Sequence, residues 1–328
     1  MKKKSILLLI AILAMALIAA ACTATEPPVD EGDQGGGGET AAAWYDMVQV
    51  DWQEATVSLP TGINMTYLVM GPEDGAPVVL IHGATDSRLS WCQVAPALAE
   101  TYRVYVPELR GHGKTDKPQN DAGVYTVDDH VADIVAFMDA VELEKANIAG
   151  HSLGSFIAQQ LAIQHPDRVT TITLIASGAE TAGNETLAWV YEGDGEEYLG
   201  VNGYPEEQAL PEDFLEAWTE TTNEDPAFGA AILAHAQALP YYDWAYIFGG
   251  ILDYNSVAQL AQITCPVQII WGTEDVIFSA EDEQKLQDGL TNAETVKFEQ
   301  IDGASHNTHW DSLAIAAQVA GLIADFAR

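Results

Sequence analysis

Gly150-His151-Ser152-Leu153-Gly154 follows the short apolar run Ala146-Asn147-Ile148-Ala149 and precedes a helix-like segment, residues 155–164. A serine raised on a sharp strand-to-helix turn needs small residues two positions to either side, so that the backbone can bend tightly and the neighbouring strand can approach. Glycine stands at both places. The same five-residue pattern also occurs in ordinary turns carrying a solvated serine, so the rest of the chain decides between the two.

Working outward, the chain alternates. Strand-like runs at 55–59, 63–70 and 77–81 lead to His82-Gly83, then come a helix at 91–99, a strand at 102–107, a helix at 127–141, the strand and helix around Ser152, and a strand at 169–176. Short apolar runs of this kind suit buried parallel strands. The rhythm predicts an α/β fold: a doubly wound, mostly parallel sheet with helices on both faces and its ligand crevice at the carboxyl ends of the strands. Between residues 178 and 262 the alternation stops and the pattern becomes helical, acidic and aromatic, with Trp189, Tyr191, Tyr198, Tyr204, Phe214, Trp218, Tyr241, Tyr242, Trp244, Tyr246 and Phe248. An inserted helical segment is the simplest account. The sheet resumes at 267–271, followed by a helix near 280–290, a strand at 295–301 and a closing helix at 312–326.

Two further stretches complete the serine. Gly272-Thr273-Glu274-Asp275 comes straight after a strand, and Gly303-Ala304-Ser305-His306 straight after the last one, giving the chain order serine, acid, histidine. That is the order of the α/β-hydrolases. With His82-Gly83-Ala84 facing the nucleophile and Leu109-Arg110-Gly111-His112-Gly113-Lys114-Thr115 after the fourth strand, the chain resembles that superfamily from about Trp52 to Arg328.

The chemistry asks for these residue types. A serine hydroxyl is a weak nucleophile at neutral pH, so a base must take its proton as it attacks. The base assigned is His306, with Asp275 fixing its tautomer and stabilising the imidazolium. The backbone amides of Ala84 and Leu153 are the expected oxyanion donors, where loss of one donor typically costs about 100-fold to 1,000-fold in rate. The resemblance implies that His82 braces the oxyanion loop, that Arg110 and His112 are structural, and that the insertion is a cap lining an apolar pocket. His309 is the rival base, and Glu274 and Glu180 are the rival acids. His151 fills the variable place in the turn, and His130, His165 and His235 are read as surface residues. Two departures from the resemblance stand out: Ser155 replaces a glycine common after the turn, and the loop after His82 carries one glycine where some esterases have three.

The ends and the composition bound the rest. Lys2, Lys3 and Lys4 precede an apolar run at 6–21, the pattern of an export signal, which ends at Ala19-Ala20-Ala21-Cys22. That ending resembles the lipobox of bacterial lipoproteins, with Ala19 in place of the usual leucine, so Cys22 is the expected lipidation site. Simple secretion and an uncleaved anchor are the alternatives. Residues 23–43, with Gly35-Gly36-Gly37-Gly38 and several acids, read as a flexible tether, and residues 44–328 as one catalytic domain. With 13 Lys and Arg against 49 Asp and Glu, the net charge is −36, which excludes nucleic acid as a partner and favours an uncharged small-molecule substrate. The membrane is then met only through the lipid. No metal or organic cofactor is implied, since no acidic run has ligand spacing and no zinc or redox motif occurs; Cys92 and Cys265 read as small buried hydrophobes rather than a disulfide. The expected function is hydrolysis of a neutral carboxylic ester through an acyl-enzyme. A carbon-carbon hydrolase, lactonase or perhydrolase on the same residues, or a non-catalytic binding lipoprotein, are the alternatives.

Overall fold

The computed structural model describes residues 52–118, 124–194, 198, 200–203 and 209–328; the export signal, Cys22, the tether and Tyr204 lie outside the described residues. Apolar runs become strands buried along most of their length: β3 (Pro77–Ile81), β5 (Ala146–His151) and β7 (Val267–Gly272). Their side chains divide with period two between the faces of one sheet. Val79, Ile81 and Ile148 pack with Val131, Ile134, Phe137, Phe156 and Leu161 on one side. On the other side Val78, Leu80 and Ala149 pack with Leu98, Val319 and Ile323.

The sheet has eight strands in the order β1-β2-β4-β3-β5-β6-β7-β8. β1 (Gln53–Ser58) and β2 (Asn64–Met70) pair antiparallel, and β2 pairs antiparallel with β4 (Arg103–Pro107). The pairs from β4 through β3, β5, β6 (Val169–Ile175) and β7 to β8 (Val296–Ile301) are all parallel. The chain leaves β3 toward β4 and later returns to β5 on the opposite side of β3. Loops leaving the carboxyl ends of β3 and β5 therefore diverge, and the gap between them is where ligands enter sheets of this kind.

Most elements fall where periodicity puts them, and the exceptions have local causes. The helix expected at 91–99 is a 3₁₀ turn, Arg88–Trp91, followed by one short turn of helix, Ala95–Leu98. Pro96 lacks the N–H that would bond the carbonyl of Cys92, so it can begin a helix here but not continue one. Between β6 and β7 lie the helices Glu185–Glu192, Glu212–Trp218, Pro226–Ala238 and Tyr241–Ile251. Their aromatic residues form one chain of ring contacts, from Trp189 and Tyr198 at 4.7 Å through Tyr198 and Phe214 at 4.8 Å to Phe214 and Trp244 at 5.7 Å. This segment sits on the rim of the sheet: the Trp218 indole donates to Thr85 Oγ1 at 3.0 Å, and His235 Nε2 donates to the carbonyl of Asp86 at 2.8 Å. Among the described residues no helix is long and apolar enough to cross a membrane.

The surface assignment of the histidines needs correction. His130 and His235 are buried, and His165 is partly so. On the helix Val127–Ala140, His130 lies three residues after Val127 and four before Ile134, which places it on the stripe facing the core. Burial, and then the Arg110 charge, hold it well below the ordinary histidine value, and burial pushes His235 down to about 4. Both ring nitrogens of His130 lack a hydrogen-bond partner.

An unfolded imidazole takes up a proton near pH ~6.5, whereas these folded rings refuse it. Their contribution to stability is present above about pH 6.5 and is lost as the pH falls below it, for His235 toward about 4. His130→Phe should match the wild type at neutral pH and lose less melting temperature between about pH 7 and about pH 5. An equally steep loss would place the acid sensitivity elsewhere.

Candidate active site

Ser152 stands between β5 and the helix Leu153–Gln164 with φ 49° and ψ −116°, a conformation that side chains rarely adopt. Strain of this kind persists only where the surroundings enforce it. A Cβ on Gly150 would lie 2.1 Å from the carbonyl oxygen of Gly154, and one on Gly154 would lie 2.2 Å from that of Ile81. The turn thus closes on itself and against β3 only because both positions lack a side chain. The Ser152 amide is anchored on the carbonyl of Ile175 at 3.0 Å. Leu153 is the first helical residue, so its N–H has no acceptor within the helix and stands at the positive end of the helix dipole. The hydroxyl of Ser155 is turned inward, donating to the Ser152 carbonyl at 2.6 Å and lying 2.7 Å from Ser177 Oγ.

Asp275 and His306 are brought together from the ends of β7 and β8. The Asp275 side chain is fully buried; its Oδ1 accepts the amides of Ile277 at 2.7 Å and Phe278 at 3.0 Å. His306 Nδ1 lies 2.9 Å from Oδ2 and 3.1 Å from Oδ1. An ionised carboxylate accepts only, so Nδ1 carries the proton and Nε2 is left as a lone pair. The loop is held from behind by Asp311, which accepts the Ser305 amide and, at 2.7 Å, its hydroxyl. His151 donates from Nε2 to the carbonyl of His306 at 2.9 Å, so the residue preceding Ser152 ties the turn to the histidine loop.

The rivals are engaged elsewhere. Glu274 is exposed. Glu180 pairs with Lys285 at 2.8 Å and accepts from Asn255 at 2.7 Å. His309 is buried, and burial followed by the neighbouring His151 and His306 holds it well below the ordinary histidine value.

The loop after β3 owes its shape to two histidines. His112 Nδ1 donates to the Arg110 carbonyl at 2.8 Å while its Nε2 accepts the Thr85 amide at 3.0 Å, which fixes Thr85 at φ 60°. His82 Nδ1 donates to the Gly83 carbonyl at 2.9 Å and its Nε2 accepts the Leu109 amide at 3.0 Å. Each ring needs a bare Nε2 for this, hence a neutral state, and burial supplies it by lowering both pKa values. Below them Arg110 grips Asp133 with two bonds of 2.6 and 2.7 Å, and buried Arg88 pairs with Glu108. Ala84, half-buried between Gly83 and Thr85, is thereby held at the end of β3, beside the turn that ends β5.

One group escaped the reading of the sequence. Asp86, His151 and His309 present ligand atoms within 4.8 Å of one another, although no local spacing links them. Cys92 and Cys265 are both free, in apolar surroundings, and burial pushes their thiols up to about 12 and about 11.

Residues 76–313 match the family defined by the alpha/beta hydrolase fold. The chain belongs to that family, and the protein is a hydrolase. It is 29% identical over 262 residues to a 2-hydroxymuconate semialdehyde hydrolase from Pseudomonas sp. (strain CF600), covering 77% of this chain and 87% of that one. Among solved structures, the enol-lactonase from Burkholderia xenovorans LB400 shares the fold with a TM-score of 0.69 at 19% identity, covering 83% of this chain and 99% of its own. A thermophilic esterase from Thermogutta terrifontis does so with a TM-score of 0.67 at 21% identity, over 83% and 97%.

Gly154→Ala tests the close approach at the turn. The added methyl has no room against the backbone of β3, so the variant should lose about 1–3 kcal/mol or more of stability, the usual cost of overpacking. A urea midpoint equal to that of the wild type would refute the constraint.

Proposed function

We propose that the protein is a serine hydrolase that cleaves a neutral carboxylic ester, with Ser152 as nucleophile, His306 as base and Asp275 as its partner. The observation that carries this reading is the Asp275 to His306 pair, which leaves Nε2 bare on a loop tied to the neighbour of a strained serine. Nε2 takes the hydroxyl proton as Oγ attacks the carbonyl carbon. The resulting oxyanion is received by the amides of Leu153 and Ala84, and the imidazolium is stabilised by Asp275. The same proton then goes to the leaving alcohol, and water repeats the sequence to release the acid. The aromatic helices between β6 and β7 act as a cap, and their apolar character together with the net charge of −36 supports an uncharged substrate with an apolar group. Export with a lipid on Cys22 would hold the enzyme at a membrane surface.

A second reading has its own support. The relative at 29% identity is named for hydrolysis of 2-hydroxymuconate semialdehyde, so carbon-carbon hydrolysis on the same three residues is the competing activity.

Ser152→Ala should abolish both turnover of a short p-nitrophenyl ester and labelling by a fluorophosphonate probe while leaving the melting temperature nearly unchanged. Asp275→Asn should lower kcat by about 10⁴. Retained labelling in the serine variant would remove Ser152 from the mechanism. A kcat/KM higher on a vinylogous diketone than on any ester would replace the first reading by the second.

A further inference from the structure

The Asp86, His151 and His309 cluster does nothing in the mechanism above, yet it is built like a site. His151 commits its Nε2 proton to the His306 carbonyl at 2.9 Å, so in the neutral ring Nδ1 is a lone pair. That lone pair faces Asp86 Oδ2 at 3.6 Å, and neither atom has a hydrogen-bond partner. His309 lies with its ring centroid 4.3 Å from that of His151, and neither of its nitrogens has a partner. Asp86 is 8% exposed, His151 2% and His309 0%. Two lone pairs, on Asp86 Oδ2 and His151 Nδ1, thus face each other in a dry place beside a buried imidazole with unpartnered nitrogens, an arrangement that a cation relieves.

The space in front of them is open because residue 83 is glycine. A Cβ there would stand 2.7 Å from His151 Nδ1 and 3.2 Å from Asp86 Oδ2. Two ligand atoms at about 2.0–2.1 Å from a shared tetrahedral ion stand roughly 3.3–3.4 Å apart; His151 Nδ1 and Asp86 Oδ2 are 3.6 Å apart, and the His309 ligand atom lies within 4.8 Å of both. Imidazole ligands of structural metals usually donate their second nitrogen to a carbonyl or carboxylate, as His151 does to His306.

We propose that Asp86, His151 and His309 bind one divalent first-row transition-metal ion, with Zn²⁺ the ion best suited to two imidazoles and a carboxylate. Calcium and magnesium are disfavoured, because they prefer all-oxygen sites. The ion joins the loop after β3, the end of β5 and the loop after β8, which carry the oxyanion amide, the serine and the histidine. It is a structural clamp on those segments, independent of which bond the enzyme hydrolyses.

The test uses the full folded chain, stripped with a chelator and dialysed in high salt against Zn²⁺ or Co²⁺, because the many exposed carboxylates hold cations only weakly. Metal content measured by mass spectrometry should reach about one equivalent per chain, with a raised melting temperature. Asp86→Asn and His309→Phe should each lower the affinity by about tenfold or more. The Co²⁺ form of the unaltered protein should show visible bands of nitrogen and oxygen ligation without the near-ultraviolet thiolate bands that Cys92 or Cys265 would give, a reading that needs no variant. Uptake far below one equivalent, thiolate bands, or affinity unchanged in both folded variants would overturn the proposal and leave a proton or a water between these side chains.

Discussion

The close approach of three backbone segments at Ser152 governs everything near it. β5 can reverse into a helix within one residue only if Gly150 faces the carbonyl of Gly154 and Gly154 faces that of Ile81 with nothing between them. Those contacts set the distance between β5 and the loop that leaves β3. They therefore set where an amide of that loop stands relative to the serine. Strain at one residue is maintained by packing that involves no reacting atom.

A second constraint is protonation without solvent. His82 and His112 hold the loop after β3 by accepting backbone amides, which a charged imidazole could not do. Each works because burial makes the neutral ring the stable one. The same desolvation acts on His130 and His235, so part of the stability of this acidic protein rests on keeping histidines uncharged. His306 differs from these four: its ring is only partly buried and has a carboxylate at Nδ1.

The strand and helix alternation was legible because β-branched and other apolar runs such as Pro77–Ile81 and Val267–Gly272 are short and bounded by turn residues. The Ser152 turn was legible because its glycines are local. The Asp275 and His306 positions could be named because each lies in the loop that leaves a strand end. Other features depend on what the fold assembles. Pro96 cut a helix that periodicity alone would have continued. His130 looked polar, although its spacing from Val127 and Ile134 turned it inward. The meeting of Asp86, His151 and His309 follows from the carboxyl ends of β3, β5 and β8 lying on the same rim of the sheet, which no spacing in the chain encodes.

The hydrogen bonds from Trp218 to Thr85 and from His235 to Asp86 join the aromatic helices to the loop that carries Ala84. If those helices swing outward to admit a ligand, both bonds open and the loop loses its upper restraint. Entry of the ligand and readiness of the amide then become one thermodynamic event. Under the proposed mechanism, a molecule that keeps the helices from settling back would leave that loop, and with it the Ala84 amide, without this restraint.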